Sequence, residues 1–323
     1  MTSVGYDPAA PGADLERHGI RLGDVLFQGI AVAASLAATA LLGLIVYQVT
    51  SDAWPAIQEF GASFIWTEAW DPVKDVYGAL TFVYGTVVTS AIALLLATPL
   101  SIAIALFLTE IAPRRLAAPI ATMVELLAAI PSVVLGLWGI LVFGPWVRDH
   151  LEPWIQDTPL GLLPVFSGSP SQAGILPAAL VLTIMIVPIT SAICRELFIR
   201  VPTELTDGAL ALGSTRWEAI RGVVFTYAAP GIAAAVLLGL GRAFGEAIAV
   251  NQTIGNHNAI PTSWFEPGDS LGSKVASEYV GATSLQQASS ILYLAAILMV
   301  ISLAANVIAQ FIVVRFERAR RAV

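Results

Sequence analysis

The sequence predicts an all-α integral membrane protein with about six transmembrane helices, and composition, recurring apolar runs and the placement of basic residues support that class. Of its 323 residues, 57% are hydrophobic and 12% charged, against about 45–50% and about 25% in soluble domains. A mean hydropathy of +0.78 exceeds what one anchor on a soluble domain would give. Apolar runs recur at 25–47, 80–108, 117–143, 174–194, 228–251 and 288–314. Each is near or above the ~20 residues that cross ~30 Å of hydrocarbon. Inside lipid every backbone N–H and C=O must bond within its own segment, so runs of this length predict helices.

Taken in order, the elements begin with a polar tail, residues 1–24, holding Asp7, Pro8, Pro11, Asp14, Glu16 and Asp24. It is unlike the basic start of a cleavable signal peptide, and we expect it to remain as a cytoplasmic tail. Residues 25–78 then supply the first span and an outer loop, and 79–323 the main membrane domain. Six spans with the N-terminus inside place twelve of the sixteen Lys and Arg in the cytoplasm. Lys74, Arg148 and Lys274 fall outside and Arg242 within a span, the bias that sets orientation in short loops. Trp54, Trp66, Trp70, Trp146, Trp154 and Trp264 fall in the outer loops, suited to the bilayer interface. Pro99, Pro131, Gly136 and Pro188 lie inside apolar runs and predict bends rather than span ends.

Several function classes are disfavoured. A net charge of −7 does not suit a nucleic-acid partner, which demands clustered Lys and Arg. The single cysteine, Cys194, cannot form an internal disulfide and belongs to no zinc-ligand spacing. No Gly-x-x-x-x-Gly-Lys-Ser/Thr loop occurs, so the chain is not expected to hydrolyse ATP. His18, His150 and His257 fall in the tail or outer loops without a Gly-x-Ser-x-Gly setting, which argues against a catalytic triad.

The loop between the fourth and fifth spans, about 201–226, is too polar to cross the membrane but is organised. Leu205, Ala209 and Leu212 share a helical face, Gly213 is placed to end that helix, and Thr215 with Glu218 forms a capping-box pattern for the next. In the fifth run, Arg242 and Glu246 stand four apart in an apolar setting, where buried charge is costly and marks a polar pathway or an internal ion pair. Both readings stay open for Arg242.

The loop resembles that of binding-protein-dependent ABC importer permeases. Its positions Asp207, Gly208, Ala209 and Gly213 keep the family spacing, although Asp stands for Glu and Gly for Ala. Residues 125–139, ELLAAIPSVVLGLWG, and 239–256, GLGRAFGEAIAVNQTIGN, closely resemble the C-type permeases of high-affinity phosphate (Pst) importers. The resemblance implies a type I ABC importer permease fold that translocates inorganic phosphate into the cytoplasm of a bacterial cell. We expect Arg242, Glu246 and Glu125 on the substrate pathway or its gate, and the resemblance implies Glu204, Asp207, Gly208, Ala209 and Gly213 at the ATPase contact. It further implies a homologous A-type permease, two copies of an ATPase subunit carrying ATP and Mg, and an external phosphate-binding protein, with no cofactor or metal on this chain. The alternatives are an ABC permease for another oxyanion or small polar solute, and an ion-coupled secondary transporter, for which the organised loop would have no use.

Overall fold

The computed structural model describes residues 22–321, so most of the expected tail lies outside the described residues. Those described form helices and loops, with one isolated antiparallel bridge between Asp71 and Val76. Among the described residues, six helices are long and apolar enough to cross a membrane. In order the elements are α1 (Leu22–Phe60), α2 (Leu80–Ile111), α3 (Arg114–Ala128), α4 (Ser132–Gln156), α5 (Ile175–Ile199), α6 (Thr203–Ala211), α7 (Arg216–Gly245), α8 (Ile248–Thr253), α9 (Leu271–Glu278) and α10 (Leu285–Arg321).

The chain divides into two units after Gln48. In the first, the described residues belong to α1, and every described side chain from Val25 to Gln48 is exposed. A helix apolar on all sides with no buried face is suited to hydrocarbon.

The second unit is built around α5, the most buried of the six long helices. Small residues on α2, Ala93 and Ala97, let it approach closely, and with Leu182 and Ile186 of α5, Ala243 of α7 and Val250 of α8 they form one apolar cluster. Hydroxyls in this region turn to backbone carbonyls: Ser101 Oγ donates to Val187 at 3.3 Å and Thr183 Oγ1 to Ala179 at 2.8 Å. A second cluster holds Phe64, Trp70, Tyr77 and Phe82 with Leu271 of α9 and Ile291 and Leu294 of α10.

Three boundaries differ from the sequence reading. The run at 117–143 is not one span, because α3 ends at Ala128 and Pro131 caps α4 in an extended conformation (φ −59°, ψ 140°). Proline lacks the N–H for an interior hydrogen bond and disfavours helix in the residue before it. The third span therefore runs from Ser132 to Gln156, and Trp146, Arg148, Asp149, Glu152 and Trp154, expected in an outer loop, lie on its helix. Two π-helical turns in α4, Gly139–Phe143 and Val147–Leu151, realign its aromatic residues into a stack of Trp138, Phe143, Trp146 and His150, with ring centroids 5.0–5.9 Å apart. The first helix extends to Phe60, so Asp52, Trp54 and Glu59 are helical. The fifth span stops at Gly245, where Glu246 takes an extended conformation (φ −79°, ψ 116°), and α8 begins separately.

Candidate functional site

The end of α7 brings Arg242 and Glu246 together across that break. Arg242 lies in the last turn, where the unsatisfied carbonyls of a helix C-terminus favour a cation. Its Nη2 stands 3.9 Å from Glu246 Oε2, with the two side chains 35% and 10% exposed. Glu246 Oε1 also accepts the Ala249 N–H at 3.3 Å, tying the carboxylate to the start of α8. Both residues line a cavity of about 400 Å³ with Ile186 and Ile189 of α5 and Gly239 and Gly241 of α7. Arg242 Nε is buried with no hydrogen-bond partner, and so is Thr190 Oγ1 of α5. A Cβ placed on Gly239 would lie 3.2 Å from that threonine oxygen. The arrangement is an apolar pocket with one cation, unused donor capacity and a carboxylate at one side, which suits a small polar anion.

Glu125 lies elsewhere. It is on α3 with its side chain 54% exposed, and its Oε1 is 3.5 Å from Nη1 of Arg195 on α5. The crevice they share, of about 10 Å³, has room for about one water. The structure thus brings Arg242 and Glu246 together and leaves Glu125 paired at a separate place.

The loop before α7 has the predicted form. Gly213 adopts φ +93°, a conformation that side chains rarely take. The capping box is complete, with Glu218 N–H donating to Thr215 Oγ1 at 3.3 Å and Thr215 N–H to Glu218 Oε2 at 2.7 Å. None of the α6 residues is buried. Glu204 is in its first turn, Gly208 faces open space, and Asp207 lines a crevice of about 200 Å³ with Glu110, Thr206 and Arg216. Leu205, Leu210, Leu212 and Trp217 are 47%, 40%, 90% and 62% exposed, so the helix–turn–helix presents apolar groups outward.

Residues 97–322 match the family described as the binding-protein-dependent transport system inner membrane component. The chain belongs to this permease family. Among its relatives, the phosphate transport system permease protein PstC of Mesorhizobium japonicum is 41% identical over 92% of this chain and 91% of its own. The PstC of Haemophilus influenzae is 39% identical over 91% and 94%. A probable PstC from Methanocaldococcus jannaschii is 34% identical over 82% and 86%. The fold is also that of a chain in the crystal structure of a bacterial alginate ABC transporter, with a TM-score of 0.59 at 19% identity over 92% of this chain and 98% of that one.

The permease's two resemblance-bearing segments meet in space, which explains Gly136 and Gly139 of the first. A Cβ on Gly136 of α4 would lie 2.3 Å from Gln252 Oε1 and 2.9 Å from Ala249 Cα on α8; one on Gly139 would lie 2.8 Å from Thr253 Cγ2. Sequence reasoning missed a further group. Lys274, read as a basic residue of an outer loop, is 2% exposed and Asp269 is 1% exposed. The local pattern announces little of this, because α9 is short and mostly polar. The aspartate–lysine–glutamate spacing of Asp269, Lys274 and Glu278 was the only available hint.

Proposed function

We propose that this permease forms one half of the membrane pathway of an ATP-driven importer of inorganic phosphate, with Arg242 on the route. The observation that carries the reading is the cavity at the α7–α8 break, lined by an Arg242 guanidinium that is 35% exposed and whose Nη2 stands 3.9 Å from Glu246. A charged side chain within a membrane bundle costs at least ~2.5–3.5 kcal/mol on insertion scales. Here the single 3.9 Å contact with Glu246 leaves the guanidinium's remaining donors for a ligand. Planar donors match phosphate oxygens, and Arg stays charged at any physiological pH. An arriving phosphate would take up those donors while Glu246, held by Ala249 N–H, keeps the pair's charge near balance once the anion leaves. The names of the matched relatives support phosphate as the substrate.

The exposed α6 and its Gly213 turn support docking to a separate ATPase subunit that carries ATP and Mg, with Glu204, Asp207, Gly208 and Ala209 on the contacting helix. Two such subunits, a homologous A-type permease and an external phosphate-binding protein complete the importer. The placement of basic residues supports cytoplasmic N- and C-termini. In this reading the loaded binding protein delivers phosphate at the α8–α9 end, ATPase closure acting through α6 turns the bundle outward-facing, and return to the inward-facing state releases phosphate inside.

Arg242→Gln and Glu246→Gln, measured for membrane abundance and uptake, test the route. Glutamine keeps polarity but loses the charge and the fork. The reading expects normal insertion of both variants, with uptake lost mainly in Arg242→Gln. A purely structural pair would instead make both variants fail to insert, since either change strands a charge in low dielectric. Normal uptake by a well-inserted Arg242→Gln protein would remove Arg242 from the route.

A further inference from the structure

The region following α8 contains a buried ionic cluster with no part in the site described above. Lys274 Nζ donates to Asn258 Oδ1 at 2.6 Å and Glu278 Oε1 at 2.5 Å, and stands 3.8 Å from Asp269 Oδ2. It also lies 5.2 Å from the ring centroid of Trp70 and 5.1 Å from that of Phe82. Trp70 Nε1 in turn donates to Glu278 Oε2 at 3.0 Å. One ammonium thus joins four parts of the chain: the segment before α2, α2 itself, the loop after α8, and α9. Burying such charges is expensive and adds little net stability over apolar packing, so the cluster's specificity calls for another account.

The helix it anchors rests on the α7–α8 break. Gly272 packs there, a Cβ on it falling 3.4 Å from Ala247 Cα and from the Glu246 carbonyl oxygen. The start of α9 is pinned to α2 as well. Leu271 N–H donates to Thr86 Oγ1 at 2.8 Å, and the Asp269 carbonyl oxygen lies so near Gly85 that a Cβ there would be 1.9 Å away. Ser273 Oγ bonds with Asn251 Oδ1 of α8 and Asn256 Oδ1 at 3.0 and 2.9 Å. The backbone of Glu246 and Ala247 is therefore packed on one side by the first turn of α9, the turn that also carries Lys274.

We propose that Lys274 is a positioning residue for the Arg242–Glu246 site, its cluster clamping α9 onto the α7–α8 break and keeping that break covered at the end of α7 remote from α6. The clamp rests on the phosphate-route reading for its functional meaning, but not for its test. Ala247 is half-buried, and in the assembled importer Ala247→Cys reports its contact with α9 through its reaction rate with a small methanethiosulfonate reagent; the native Cys194 is fully buried. Leu162→Cys, between α4 and α5 and 87% exposed, serves as a control against general loosening.

Adding Lys274→Met should raise the Ala247→Cys rate by about tenfold or more, the signature of a local opening, and leave the Leu162→Cys rate unchanged. Phosphate uptake by Lys274→Met at wild-type abundance should fall in parallel. Unchanged Ala247→Cys labelling in a well-inserted Lys274→Met protein overturns the proposal, whatever Arg242→Gln does to uptake. If Lys274→Met does not insert, Lys274→Met with Asp269→Asn removes the fully buried one of the two stranded charges, Glu278 being 29% exposed, and is read by the same labelling. Failure of both variants to insert would show a folding requirement alone and would equally overturn it.

Discussion

Protonation of Asp269 provides a quantitative test of how its surroundings act. Its carboxylate is almost wholly buried: Oδ1 accepts the Ser270 N–H at 2.8 Å, while Oδ2 stands 3.8 Å from the Lys274 ammonium. Loss of solvation raises the acid from 3.8 to about 6, against the opposing pull of Lys274. A carboxyl whose folded value exceeds its unfolded one favours folding in the protonated state. That contribution is fully present below about pH 4 and is lost as pH rises to about 6. A shift of about two units corresponds to about 3 kcal/mol. Asn is a neutral counterpart without this titration. Thermal unfolding of the detergent-solubilised importer, followed by tryptophan fluorescence for wild type and Asp269→Asn, should give a difference that changes between about pH 4 and about pH 6 and is flat above. In that window wild type should lose stability relative to the variant. A difference of the opposite sign, with wild type gaining stability as pH rises, would mean that Lys274 outweighs desolvation and would refute the reasoning.

Further tests address the glycines and the loop. Gly85→Ala should destabilise the region by about 1–3 kcal/mol, because the Asp269 backbone oxygen leaves no room for a Cβ; thermal unfolding and membrane abundance would report it. Gly208→Ala, facing open space on α6, should be tolerated in the same assay and gain up to about 1 kcal/mol of helix propensity. Thr215→Ala removes the hydroxyl that accepts Glu218 N–H and should cost about 1 kcal/mol locally, detected as faster amide exchange at the start of α7. Gly213→Val forces a branched residue into φ +93° and should uncouple ATP hydrolysis from uptake in the assembled importer; unchanged coupling would remove the turn from the ATPase contact.

The chemistry of the candidate site was legible in part. An arginine and a glutamate four apart in an apolar run are conspicuous because lipid makes each expensive, and the structure brings them to one cavity. Their geometry was not legible: the helix stops between them, so they meet across a break rather than along a continuous face. Glu125 shows the limit of a resemblance read one segment at a time, since the partner that holds it, Arg195, belongs to a separate run. The loop was easier to read, because a left-handed glycine and a capping box are local devices whose partners lie three residues away.

The sequence by itself determined the membrane class, six long apolar helices, the polar turn between α6 and α7, and the family, because hydrophobicity and capping act over one helix or one turn. Only the tertiary structure decided that Pro131 begins a span instead of bending one, that residues 144–156 belong to a helix, and that α7 stops at Gly245. It alone buried Lys274 among Asp269, Glu278, Asn258, Trp70 and Phe82. A residue's charge is written in the chain, but its solvation is set by neighbours up to about two hundred residues away, as Trp70 and Glu278 are. Long-range packing chooses among the placements that local patterns allow.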